Sequence, residues 1–283
     1  ANPGDEVLIF DPCWMPYVSA TTIAGGRPVR IQTDPQDGFA ITAHQLEAHL
    51  THRSRIVILN SPCNPSGHMI APEQLREIAE IVERHNLLVI SDEVYESLTY
   101  DGHEHVSFAS LPGMRDRTIT INSFSKTYAM SGWRIGYLAA DARWTDLILK
   151  LSQYSITNVA PFTQQAAVTA LTDSRVASFV EESRKIYASR RRQALASLRS
   201  IEGIRVVEPQ GAFYFVIDIS NHCHDSARFA LELLEQQHVA VVPGIAFGAC
   251  TEGTIRMTFA ASDGDILEGI DRLKRMSIFQ RAA

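Results

Sequence analysis

Asn122-Ser-Phe-Ser-Lys-Thr-Tyr-Ala-Met-Ser-Gly-Trp-Arg134 places a lysine in a small, hydroxyl-rich turn directly after Thr118-Ile-Thr-Ile121. The β-branched residues of that preceding run mark a buried strand that ends just before the serines. Lys126 sits among Ser123, Ser125 and Thr127, and Gly132 and Arg134 follow before a second apolar run, Ile135-Gly-Tyr-Leu138. A lysine at a strand end with hydroxyls and an arginine nearby suits two chemistries. It can cradle a phosphate, or it can form a Schiff base with a phosphate-bearing aldehyde cofactor.

The segment resembles the lysine motif of class I/II aminotransferases, the pyridoxal 5'-phosphate enzymes of fold type I. The family pattern Ser-x-Ser-Lys, then Gly-Trp-Arg-x-Gly, reads here as Ser123-Phe-Ser-Lys126 and Gly132-Trp-Arg-Ile-Gly136. The resemblance implies that Lys126 holds the cofactor as a Schiff base. It further implies that Ser123 and Arg134, with Ser125 beside them, bind the cofactor phosphate.

Working outward, three more apolar runs each end in polar residues of the kind such a pocket needs. Residues 55–59 run into Asn60-Ser-Pro-Cys-Asn-Pro-Ser-Gly67, which is similar to the family's Asn-Pro-x-Asn-Pro-Thr-Gly loop, with Ser61 and Ser66 as mild departures. An amide on a proline-fixed loop is held rigidly, so Asn64 is the expected donor to the cofactor's 3-oxygen. The Asn64–Pro65 bond is expected to be cis. Residues 87–90 lead to Ser91-Asp-Glu-Val-Tyr95, which resembles the Asp-x-x-Tyr motif. A carboxylate beside the pyridine nitrogen keeps it protonated and makes the ring an electron sink, which is the implied role of Asp92. Tyr95 joins Asn64 at the 3-oxygen. A lone aspartate after a strand is otherwise a helix cap, but its order with Asn64 and Lys126 favours the site. Residues 7–10 form the first strand, and Trp14 follows where ligands sit in open α/β sheets; its indole is the candidate to stack on the ring.

The rest of the chain fills in the architecture. A strand is expected at 28–31, and helices at 42–52, 72–85, 146–153, 163–171 and 176–198. Beyond 198 come short strands (204–207, 211–217, 239–242, 254–259) with helices at 226–236 and 263–276. With this order of elements the resemblance implies an α/β fold class, a three-layer, mostly parallel sheet in a large domain plus a smaller C-terminal α+β domain. The expected division is 1–175, a connecting helix at 176–198, and 199–283. Arg184, Lys185 and Arg190-Arg-Arg192 are taken as the wet face of that connecting helix. In the last strand, Arg256 lies opposite Ile255 and Met257 in the alternation. The family's Ile-Arg-x-x-Phe context implies that Arg256 binds the substrate α-carboxylate bidentately.

Composition excludes other classes. With 283 residues, 45% of them hydrophobic, there is material for more than one core, and a net charge of -6 gives no electrostatic reason to seek nucleic acid or anionic membrane. No apolar run is long enough to span a bilayer. Cys13, Cys63, Cys223 and Cys250 form no C-x-x-C pair and read as reduced cytoplasmic thiols. No metal is expected: His44 and His49 do not share a helical face, and His222-Cys-His224 lacks a second ligand pair.

The implied activity is amino-group transfer between an α-amino acid and a 2-oxo acid, in a homodimer. A carbon–sulfur β-lyase on the same residues is the alternative, as is an aminotransferase-like effector domain of a transcription regulator. Trp14, Phe213, Tyr214 and residues 157–162 are candidates for the side-chain pocket, but none of them demands a particular substrate. Because Pro3-Gly-Asp-Glu-Val7 lies well inside family sequences, the chain is expected to be N-terminally truncated and weakened in cofactor binding and activity.

Overall fold

A computed structural model describes residues 2–280. Ala1 and residues 281–283, at the outer ends of the expected first and last segments, lie outside the described residues. Six strands form the first sheet: β1 (Glu6–Asp11), β2 (Arg27–Gln32), β3 (Ser54–Asn60), β4 (Leu88–Asp92), β5 (Thr118–Ser123) and β6 (Gly136–Ala139). Their order is β2-β1-β3-β4-β5-β6. All neighbours are parallel except β6, which returns antiparallel to β5. Every residue of β1 is buried, as befits a parallel strand covered on both faces.

The crossovers follow their local chemistry. Helix α1 (Pro16–Ile23) joins β1 to β2, α2 (Ala43–Ala48) and α3 (Pro72–Arg84) flank β3, and the single-turn α4 (Phe124–Thr127) follows β5. Thr42 and Gln45 close a capping box on α2, and Pro72 opens α3 in its first turn. Leu75, Ile78 and Val82 of α3 pack with Leu8, Val57 and Val89 of the strands. Ile78 and Val82 are wholly buried, and each such side chain contributes about 2 kcal/mol through area removed from water.

Three helices lead to the second sheet: α5 (Ala142–Ser155), α6 (Pro161–Thr172) and the 25-residue α7 (Ser174–Leu198). Next come β7 (Arg205–Val207), β8 (Tyr214–Asp218), α8 (Ser226–Gln237), β9 (Val242–Pro243), β10 (Thr254–Thr258) and α9 (Asp263–Lys274). The sheet is antiparallel in the order β7-β8-β10-β9. Its core is aromatic, with Phe215, Phe229 and Phe259 fully buried. Tyr95, Leu98 and Tyr100, from the segment after β4, also belong to that core. Thr99 bridges to Gly211, and the Tyr100 hydroxyl donates to the Ala212 carbonyl oxygen.

Several elements depart from their expected bounds for local reasons. Helix α1 was not anticipated because it carries no apolar stripe; Thr21 is its one buried residue. Helix α5 starts earlier than expected because Asp141 accepts from the Arg143 N–H, and α6 because Pro161 opens it. Strand β9 is only Val242–Pro243, which pair with Arg256 and Ile255 of β10, so the expected strand at 239–242 is paired at its last residue alone. The basic run of α7 is a correction: Arg191 is buried, not on a wet face. It pairs with Asp101 at 2.7 Å and Glu208 at 3.0 Å, over the Tyr100 ring. Among the described residues, no helix is long and apolar enough to cross a membrane.

Candidate active site

Parallel strands deliver their C-terminal ends to one edge, where Asn60, Asp92 and Ser123 sit, while Arg256 comes from β10 of the second sheet. Asn60 and Asp92 close β3 and β4 side by side, and Asp92 pairs in register with Ile121 of β5. The Asn60 side chain ties the arrangement together. Its Nδ2 donates to the Asp92 carbonyl oxygen at 3.0 Å, and its Oδ1 accepts from the Asn64 N–H at 2.9 Å. The Asn64–Pro65 bond is cis, as expected, and so are Asp11–Pro12 and Ser61–Pro62.

At the end of β5, the Ser123 Oγ accepts from the Ser125 N–H at 3.1 Å and so begins α4, which carries Lys126. Gly136 faces Ser123 across the β5–β6 ladder. A Cβ at residue 136 would lie 2.8 Å from the Asn122 carbonyl oxygen, so the last glycine of the Gly-Trp-Arg-x-Gly motif is a close-approach residue. Arg134 turns the chain between them at φ 53°.

One cavity of about 470 Å³ is lined by all nine expected site residues: Trp14, Asn64, Asp92, Tyr95, Ser123, Ser125, Lys126, Arg134 and Arg256. Tyr17, Asn60, Ser131 and Tyr214 also line it. Of these, Tyr17 is the residue that sequence reasoning missed to most effect. Its hydroxyl donates to the Asp92 carboxylate, and its ring meets Trp14 edge-on at 5.5 Å. The available signal was its position in the first turn of a helix opened by Pro16, but that helix lacks an apolar stripe. Trp14 itself is 46% exposed at the cavity mouth.

Burial pushes the Asp92 carboxyl above its ordinary range, opposed by the Tyr17 hydroxyl and the Val94 N–H. Burial holds Lys126 below the ordinary lysine value, and the positive charges of Arg256 and Arg134 add to the effect. Its Nζ lies 5.5 Å from the Phe213 ring centre and 6.0 Å from that of Tyr95. The Tyr95 phenol is pushed up by burial and by Tyr214, whose hydroxyl it meets at 3.0 Å. Arg256 donates from Nη1 to Asn64 Oδ1 at 2.8 Å, leaving Asn64 Nδ2 as a donor, while the Arg256 Nε is buried without a hydrogen-bond partner.

Behind Asp92, the ligand atoms of Glu93, Glu96 and His105 lie within 4.8 Å of one another, close enough to hold an ion. Glu93 is engaged otherwise. It accepts from Ser91, Ser107 and the Phe108 N–H and meets His105 at 3.1 Å, a network that braces the loop after β4.

The donor set fits pyridoxal phosphate. A buried carboxylate matches a cationic ring nitrogen, and the free Asn64 amide with Tyr95 matches a phenolate oxygen. Serines and Arg134 match a phosphate, and a half-buried amine of lowered pKa matches an aldehyde. The cavity volume lies in the range of cofactor pockets, about 300–1,000 Å³.

Comparison with known proteins gives the same direction. The family described as "Aminotransferase class I and II" matches residues 1–273. An aspartate aminotransferase of Pyrococcus abyssi is 41% identical over 273 residues, which is 96% of this chain and 70% of that protein. An aromatic-amino-acid aminotransferase 2 of Thermococcus litoralis is 39% identical over 272 residues, again 96% and 70%. The crystal structure of an aromatic aminotransferase from Pyrococcus horikoshii superposes with a TM-score of 0.96 at 41% identity, covering 100% of this chain and 75% of that one.

Proposed function

Because this chain belongs to the class I and II aminotransferases, we propose the following division of labour among its residues. The protein is a transaminase of fold type I that uses pyridoxal phosphate to move an amino group between an amino acid and a 2-oxo acid. Pyridoxal phosphate, when bound, supplies the electron sink for the substrate α-carbon.

Lys126 holds the cofactor through its amine and, once released, carries the α-proton, a task suited to a lysine of lowered pKa. Asp92 would hold the cofactor's ring nitrogen, and Tyr17 fixes the carboxylate by its hydrogen bond. A cationic ring nitrogen opposite Asp92 would reverse the effect of burial and keep the carboxylate ionised. Asn64 and Tyr95 would donate at the 3-oxygen, Ser123, Ser125 and Arg134 would anchor the phosphate, and Trp14 would cover the ring. Arg256 takes the substrate α-carboxylate. The single observation carrying this reading is that the buried acid and the half-buried amine, at the ends of neighbouring strands, open into one cavity with two arginines.

Residues 1–175 form the cofactor-binding part, 176–198 the connecting helix and 199–283 the small domain in this reading. The four free cysteines support a reducing, cytoplasmic setting. Amino transfer is expected to depend on a 2-oxo acid such as 2-oxoglutarate, tested with L-aspartate and L-phenylalanine among the donors. Release of pyruvate and ammonia from a β-substituted donor without any oxo acid would instead identify a β-lyase.

The homodimer is supported by helix α5, a 14-residue helix with no buried residue. It exposes Leu147, Leu149, Leu151 and Tyr154 in one stretch, the kind of apolar patch that marks an interface. Light scattering is expected to give twice the chain mass. Replacing Leu147 and Leu151 by lysine should halve it, and a monomeric parent protein would contradict the assignment.

A further inference from the structure

The arginine that faces the substrate is seated by a loop that is itself moored to the other sheet. The Arg256 guanidinium lies between two rings, 4.3 Å from the centre of Tyr214 and 4.9 Å from that of Phe247. Among the described residues no carboxylate pairs with it. Its orientation rests on these rings and on one amide, Asn64. Anything that moves Phe247 therefore frees the guanidinium on one side.

Phe247 belongs to the 244–248 turn between β9 and β10, and its carbonyl oxygen is held from the first sheet. It accepts from the Cys13 N–H at 3.0 Å and from Arg30 Nη2 at 3.2 Å. Arg30, on β2, is in turn fixed to Asp11 at the end of β1. Its Nη2 donates to Oδ1 at 2.9 Å, and its Nε lies 2.7 Å from Oδ2 as an ion-pair contact without hydrogen-bond alignment. Asp11 is buried and the Arg30 side chain is 32% exposed, so the pair is only partly shielded from the solvent that weakens surface ion pairs. Gly248 makes the approach possible. Its φ is +140°, and a Cβ there would lie 2.7 Å from Arg30 Nη2 and 3.0 Å from the Asp11 Cγ. Just beyond the turn, the Thr251 hydroxyl is 2.8 Å from the carbonyl oxygens of both Gly244 and Gly248. The chain of contacts is continuous from a half-buried ion pair in the first sheet to the guanidinium in the cavity.

We propose that Arg30, anchored on Asp11, is a positioning residue for the substrate α-carboxylate: it holds the Phe247 carbonyl so that the Phe247 ring keeps Arg256 aimed into the cavity. The proposal rests on the reading of Arg256 as the carboxylate site. Arg30 is not among the residues that line the cavity. Its effect is therefore expected in substrate affinity, with the chemical step spared.

The test uses the cofactor-loaded enzyme and two variants. Arg30→Lys keeps a cation beside Asp11, but an ammonium lacks the planar fork that spans the carboxylate and the Phe247 carbonyl together. Phe247→Leu keeps the backbone contact and removes the ring, so it decides the matter if Arg30→Lys folds poorly. In each, KM for the amino donor and the Kd of maleate, a non-reacting carboxylate, are expected to rise about tenfold, the scale of one lost polar or ring contact. The kcat and the affinity for pyridoxal phosphate should stay within about twofold, well inside that tenfold change. Arg256→Gln is measured alongside. If Arg256→Gln leaves KM and maleate binding unchanged, the carboxylate assignment itself fails. If Arg256→Gln weakens both while Arg30→Lys and Phe247→Leu lower only the melting temperature, the positioning role is overturned.

Discussion

Lys126→Ala is expected to reduce turnover by more than about 10⁴-fold, the upper end of what a positioned acid–base group contributes, and to remove the visible absorption of the lysine-bound cofactor. Folding gives an independent readout, because the lysine is half-buried and carries a lowered pKa. A lysine whose pKa is lower in the folded protein binds fewer protons there than in the unfolded chain. Its charge therefore costs stability in full below the lowered value. The cost fades as pH rises toward the ordinary lysine value of 10.5. The alanine variant should accordingly gain most over the parent below that lowered pKa, with the gain vanishing at high pH. Urea unfolding of both cofactor-free proteins across that range checks the sign, and a variant less stable at neutral pH would contradict it.

Asp92→Asn is expected to cost about 10²–10³-fold in kcat, the scale of removing one preorganised electrostatic partner from a buried site. The substitution keeps shape and removes charge. One of the two oxygens that now accept from Tyr17 and the Val94 N–H becomes an amide donor. Stability should not fall in proportion, because burial already disfavours the charged form of this residue in the cofactor-free cavity. Tyr17→Phe leaves the charge in place and removes only its anchor, so its loss in kcat should be several times smaller. Steady-state kinetics with saturating cofactor separate the two. Equal losses would mean that the hydroxyl, not the carboxylate charge, carries the effect.

Much of this arrangement was legible because parallel sheets write themselves as apolar runs, and each run here ends in a chemically distinctive residue. The strand 118–121, the proline-fixed Asn64 and the Asp92 of the next strand over were all readable, and the three open into the same cavity. What escaped was held by contacts far apart in sequence. Helix α1 has no apolar stripe to announce it, so Tyr17 and its hydrogen bond to a residue 75 positions away could not be seen. Arg191 looked like part of a solvated run because its partners, Asp101 and Glu208, arrive from two other segments. The Asp11–Arg30 pair and its hold on Phe247 join residues separated by 217 positions, and no local pattern encodes that. The exposed face of α5 was equally silent, since its apolar residues read like those of any core-facing helix.

The chain has four lysines, Lys126, Lys150, Lys185 and Lys274, which makes one measurement decisive. The protein is loaded with pyridoxal phosphate, reduced with borohydride, digested and mapped by mass spectrometry. The phosphopyridoxyl mass is expected on the peptide containing Lys126 and on no other lysine, and it should disappear when Asp92 and Arg134 are both replaced by neutral residues. Label on Lys150, Lys185 or Lys274 in its place would contradict a cofactor site at the ends of β4 and β5.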